Sequence, residues 1–232
     1  MPDAPSPWGR SLVGSYPNPN LWPAYSPDWK PDVFRYVALW LTEGIPYVLS
    51  ETPIVYEYAR EHLATRLHEK TRNIGITGSA RSGYSLAPEK FGMRYQAGTS
   101  DLDLFLVSAN WFDQLVRDFE LFLARYRSQL AEPRNERERA FFDNNAREAP
   151  ATIGRGFIDQ WRVPAASRYT HARELGRAGD GFRQHINREV RPANRIGRLS
   201  IRVYRDWDTA VRQIGGSVLR ALTLRARALP DA

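Results

Sequence analysis

The chain has 232 residues, 42% hydrophobic and 25% charged, enough apolar content to bury a core and too much for wholesale disorder. It has no cysteine, which excludes a disulfide framework and a thiolate zinc site, and no run approaches the roughly eighteen apolar residues of a membrane span. Its 33 Lys and Arg against 26 Asp and Glu leave a net charge of +7, which favours polyanionic partners and equally suits simple solubility.

Residues 1–10 lack an apolar signal core, so a cytoplasmic location without membrane attachment is expected. Residues 1–31 are rich in proline, with Trp8, Trp22, Tyr25 and Trp29 interleaved. Proline fixes φ and removes a backbone donor, so an extended arm laid over the domain is predicted. Residues 32–232 read as one domain that closes in a C-terminal helix. Asp32 is a candidate N-cap for a helix over 32–42, ended by Gly44 and Pro46. Thr52–Pro53 opens a second helix, with Val55, Tyr58, Ala59, His62, Leu63, Arg66 and Leu67 on its apolar stripe. No second histidine sits at ligand spacing from His62, which therefore reads as a packed core residue.

Strands are predicted over 74–77 and 102–107, then, after Ser108 or Asn110 as a cap, a helix to about residue 130 with Trp111, Leu115, Phe119, Phe122, Tyr126 and Leu130 inward. Residues 132–149 are charge-dense and read as a solvated helix with Phe141 and Phe142 inward, and 153–164 as a strand. Residues 165–197, polar, Arg-rich and punctuated by glycine, give no clear element. Residues 198–205 alternate, with Leu199, Ile201 and Val203 facing in and Arg198, Ser200 and Arg202 facing out. A last helix over 207–228 carries Trp207, Val211, Ile214, Val218 and Leu222 on one stripe, with Gly215–Gly216 a point where it could kink.

Chemistry concentrates in residues 73–107. Gly78–Ser79 ends the first strand in a turn whose backbone N–H groups and hydroxyl can hold phosphate oxygens. Arg81 and Ser85, close to that turn, are candidate triphosphate contacts. Asp101 and Asp103 fall on one strand face about 6–7 Å apart. Two carboxylates so placed repel each other unless a cation lies between them, and hard oxygen ligands select Mg²⁺ or Mn²⁺. The plainer reading is a surface pair neutralised by nearby arginines. Asp159, between apolar neighbours, is the third candidate ligand; it needs a metal ion or an arginine such as Arg155 or Arg162.

GSARSGYS followed by SDLDLFLV, with IDQWRVP later, resembles the signature of the DNA polymerase β-like nucleotidyltransferase superfamily over about residues 52–210. The resemblance implies an α+β fold, a mixed sheet backed by helices, behind the N-terminal arm. It also implies transfer of a nucleoside monophosphate from an NTP to an acceptor hydroxyl (an RNA end, a protein or a nucleotide) with release of pyrophosphate. On it, Gly78 and Ser79 hold the phosphates, Asp101 and Asp103 bind two metal ions, and Asp159 binds one of them and helps activate the acceptor. The stretch between Ser79 and Asp101 is longer than the pattern leads one to expect. Its extra piece, 86–98, carries Lys90 and Arg94 and reads either as a phosphate-gripping lid or as a surface insertion. Eight arginines between 195 and 227 would suit an RNA end or a solvated basic face alike. The rival expectation is an inactive nucleotide- or RNA-binding module of the same fold, favoured if an arginine holds Asp159. A triad hydrolase lacks both a cysteine and a Gly-x-Ser-x-Gly elbow.

Overall fold

The alternating run Leu102–Val107 forms strand β2, and its two faces decide where the other elements lie. β1 (Ile74–Thr77) pairs with it antiparallel on one side and β4 (Leu199–Tyr204) parallel on the other. β3 (Phe157–Asp159) is antiparallel to β4, which gives a mixed sheet of order β1-β2-β4-β3. The structure, a computed structural model, describes residues 9–10, 18–22, 26, 30–191 and 195–228, so the expectations about Trp8, Tyr25 and Trp29 lie outside the described residues. Among the described residues the α-helices are α1 (Lys30–Thr42), α2 (Pro53–Leu67), the single turn α3 (Ser79–Ser82), α4 (Ala109–Arg127), α5 (Glu136–Gly154), α6 (Thr170–Glu189) and α7 (Trp207–Ala228). None of them is long and apolar enough to cross a membrane.

One sheet face is aliphatic. Leu102, Leu104 and Leu106 of β2 join Ile76, Ile158 and Ile201 in a core closed by α2, α4, α5 and α6. Each fully buried Leu or Ile there contributes about 1.5–3 kcal/mol. The opposite face is divided. Phe105, Val107, Phe157 and Tyr204 pack under α1 and α7. The Phe105 ring lies over Gly75, where a Cβ would come within 2.5 Å of it, so only glycine permits that packing. The other half of this face carries Thr77, Asp103, Asp159, Ser200 and Arg202, and it lines an open cavity.

Several helices differ from the sequence expectation for identifiable reasons. The inward face of α2 uses Tyr56 and Ala64, leaving Tyr58 57% exposed. His62 is exposed as well, and it stacks on His185 of α6 with ring centroids 6.1 Å apart rather than entering the core. α6 fills the stretch without a predicted element. Its buried face combines Leu175, Phe182 and Ile186 with the small Ala172, Ala178 and Gly179, and at Gly179 the helix lies directly on β4. A Cβ at Gly179 would sit 2.8 Å from Ile201 and 2.9 Å from Leu199. The strand expected over 153–164 shortens to Phe157–Asp159, since α5 runs on to Gly154 and Gln160–Arg162 form a 3-10 turn. Phe142 is buried, whereas Phe141 and Leu130 are exposed. Ser108 caps α4 as expected, its hydroxyl accepting from the Trp111 N–H at 3.1 Å. In the arm, Trp22 is buried edge-on to Tyr36 and Phe91, and Asn20 Nδ2 donates to the Gly92 carbonyl at 3.0 Å.

Candidate active site

The cavity, about 530 Å³, is built by strand register. Asp103 of β2 stands opposite Thr77 of β1 and Ser200 of β4, and Asp159 of β3 stands opposite Arg202 of β4. Gly78, Ser79, Ser85, Asp101, Asp103 and Asp159, six of the seven residues singled out in the sequence, line it together. Gly78 is required twice over. Its φ of +69° suits glycine, and a Cβ there would lie 2.8 Å from Asp103 Oδ2. The missing side chain is what lets the turn approach that carboxylate.

Asp101 is exposed just before β2, whereas Asp103 is drawn into the sheet. Burial pushes the Asp103 carboxyl above its ordinary range; the Ser200 hydroxyl, donating to Oδ1 at 2.8 Å, and the Arg202 charge oppose this, and Asp101 and Asp159 add to it. A carboxylate raised in the folded state costs stability once ionised, and the cost fades as pH falls through the interval between its raised folded value and its unfolded value. Asp103→Asn is therefore expected to melt a few degrees above the parent at pH 7 in chelator. The gap should close as the pH approaches 4, in thermal melts run across that range. An Asp103→Asn variant no more stable than the parent at pH 7 would refute this account of the site's electrostatics.

Asp159 is held differently. Arg202 Nε donates to its Oδ1 at 2.7 Å and Nη2 to its Oδ2 at 3.2 Å, so both oxygens are engaged by one planar guanidinium. Arg202 also lies over the Phe157 ring at 5.1 Å and donates to Gln213 Oε1 at 3.2 Å. Burial alone would lower the Arg202 pKa, but at neutral pH the Asp159 carboxylate opposes this and the guanidinium stays charged. Neither arginine named from the sequence is the partner. Arg155 donates to the Ala151 carbonyl, and Arg162 pairs with Glu148 and Asn145.

These contacts decide how a divalent ion would fit. Asp101 and Asp103 offer one ion two carboxylates, and Mg²⁺ commonly takes one or two carboxylates and completes its shell with phosphate and water. Asp159 stands two strands away from Asp103 and two residues along, about 11–12 Å between α-carbons at standard strand spacing. Each of its oxygens already accepts from Arg202, and among the described residues no group of three such side chains is placed to hold one ion.

Arg81 corrects an expectation outright. It is buried, and its guanidinium donates to the carbonyls of Trp40 (2.8 Å) and Glu43 at the end of α1. The unpaired carbonyls and negative pole of a helix C-terminus attract a cation, so Arg81 ties α1 to the turn and does not reach the cavity. The cations that line it are Lys90 and Arg94, along with the engaged Arg202, and neither of the first two has an acidic partner among the described residues. They belong to a flap over 83–98 that is pinned to itself, with Ser85 N–H donating to the Met93 carbonyl and Tyr95 N–H to the Gly83 carbonyl, both at 2.8 Å. Buried Leu86 anchors the flap against α1 and α7. The long insertion is thus one wall of the cavity. Sequence reading placed Ser200 and Arg202 on the outward face of their strand; it passed over Tyr204, which continues that face, and Gln213, which lies off the apolar stripe of α7.

Compared with models of known protein families, with curated proteins and with solved structures, the chain matches none.

Proposed function

We propose that the cavity binds a nucleoside triphosphate as its Mg²⁺ or Mn²⁺ complex and transfers the nucleoside monophosphate to an acceptor hydroxyl, releasing pyrophosphate. What supports this reading is convergence: a glycine-serine turn, two adjacent carboxylates and two cations without an acidic partner among the described residues meet in one cavity large enough for a nucleotide. The Gly78–Ser79 turn and the Lys90 and Arg94 side chains take the β- and γ-phosphates. Asp101 and Asp103 hold the ion, which when bound neutralises the triphosphate and polarises the α-phosphate. Positioning does the rest. The acceptor oxygen forms its bond to the α-phosphorus as the bond to the leaving pyrophosphate breaks, and the acceptor proton passes to water.

One observation favours a second reading, a nucleotide-binding module without turnover. Arg202 already neutralises Asp159 and engages both of its oxygens, which favours a structural role for that carboxylate. A single assay separates the two: the full chain with labelled NTPs, Mg²⁺ or Mn²⁺, and cellular RNA or protein as acceptor. Pyrophosphate release coupled to label transfer is the expected result. Saturable NTP binding with no release would select the binding module, and no binding of any NTP would overturn both.

A further inference from the structure

The cavity has two unlike ends. Around Gly78, Asp101 and Asp103 it is polar; towards α7 its wall turns apolar, with Leu86, Ile214 and Val218 all buried. A nucleotide is divided the same way, into a charged tail and a flat base. Gln213 and Ser217 lie four residues apart on one face of α7 and supply polar groups to the apolar end.

Their hydrogen-bonding roles are fixed from behind. Arginine has donors only, so the Gln213 amide atom that meets Arg202 Nη1 at 3.2 Å is the oxygen. The Tyr204 hydroxyl donates to the same oxygen at 2.6 Å. Burial pushes that phenol up to about 12, so at neutral pH it keeps its proton. Both lone pairs of Gln213 Oε1 are thereby used. The Gln213 NH₂ has no protein partner among the described residues, so this side chain presents donors alone. Ser217 Oγ donates to the Gln213 main-chain carbonyl at 3.3 Å, which leaves it an acceptor.

We propose that Gln213 and Ser217 read the base of the bound nucleoside triphosphate and select a lactam edge, the keto oxygen beside a ring N–H found in uracil and guanine. The keto oxygen accepts from Gln213, and the ring N–H donates to Ser217. Cytosine or adenine sets an amino group against the Gln213 NH₂, two donors with no acceptor between them, a mismatch that a desolvated site rejects. This inference rests on the nucleotide reading and goes beyond it by naming the base.

The test is calorimetric titration of the full chain, in Mg²⁺, with UTP, CTP, inosine triphosphate and ATP. UTP and CTP differ at this edge alone, as do inosine triphosphate and ATP, so each pair isolates the edge for one ring size. UTP is expected to bind at least about tenfold tighter than CTP, or inosine triphosphate than ATP, and the stronger pair identifies a pyrimidine or a purine site. Gln213→Glu keeps an acceptor for Arg202 and Tyr204 but sets an oxygen against the keto group, and should bring the ratio near one; Gln213→Ala should lower it in part, since Ser217 still accepts from the ring N–H. Ratios within twofold for both pairs in the unmodified chain, with NTPs still binding, overturn the base reading and leave nucleotide binding standing. Binding of none of the four up to millimolar concentration overturns the nucleotide reading itself.

Discussion

Replacing Asp101 and Asp103 together by alanine is expected to lower NTP-dependent pyrophosphate release by about 10²–10³-fold or more. The two carboxylates are the only acidic side chains of β2 and its approach that line the cavity, and a triphosphate cannot sit between Lys90 and Arg94 with its full charge neutralised unless an ion joins it. Stability should change little in the same variant, or rise. Asp103 is a half-buried carboxyl whose charged form is disfavoured, and losing it leaves only the Ser200 hydroxyl, beside the open cavity, without its acceptor. Loss of release with a melting temperature no lower than the parent's is therefore the expected signature. Release within about tenfold of the parent would remove these aspartates from the ion site.

The second large effect concerns Arg202. Arg202→Met is expected to destabilise the fold by about 2–3 kcal/mol, below the roughly 3–5 kcal/mol typical of breaking a fully buried pair because cavity water reaches the guanidinium. The Asp159 side chain is 8% exposed and would lose both of its hydrogen bonds from Arg202 at once, while Gln213 would lose a donor. Removing the stranded charge as well, in Arg202→Met with Asp159→Leu, should recover most of the loss. Denaturant unfolding of the two single variants and the double gives the coupling directly. A single variant within about 0.5 kcal/mol of the parent would mean that the pair contributes nothing to stability.

The parts of this fold that were readable in the sequence are those with strong, local periodicity. Ile74 to Thr77, Leu102 to Val107 and Leu199 to Tyr204 declare their strands by alternation, and the last helix was legible from its stripe. α6 was hidden because three glycines and many polar residues break up its sequence, although Leu175, Phe182 and Ile186 mark its inner face at helical spacing. In the site, the turn and the carboxylates could be read from spacing, but the partner of Asp159 could not. Arg202 is 43 residues away and meets it only because β3 and β4 pair antiparallel, a fact of topology that one strand's pattern does not contain. Arg81 misled for the opposite reason. Its neighbours in sequence are the phosphate turn, but its guanidinium reaches back to carbonyls some forty residues earlier.

Because side chains alternate along β2, a single-residue deletion within 102–107 would bring leucines to the cavity and press a carboxylate into the aliphatic layer. Such a chain could not keep its core while scrambling its chemistry. Core and site share one degree of freedom, the register of this strand, so mispairing is punished by unfolding before an ill-formed site can exist. The flap over 83–98 carries no such constraint, since none of its residues belongs to the sheet. Change of specificity by insertion or deletion has room there, and β2 has none.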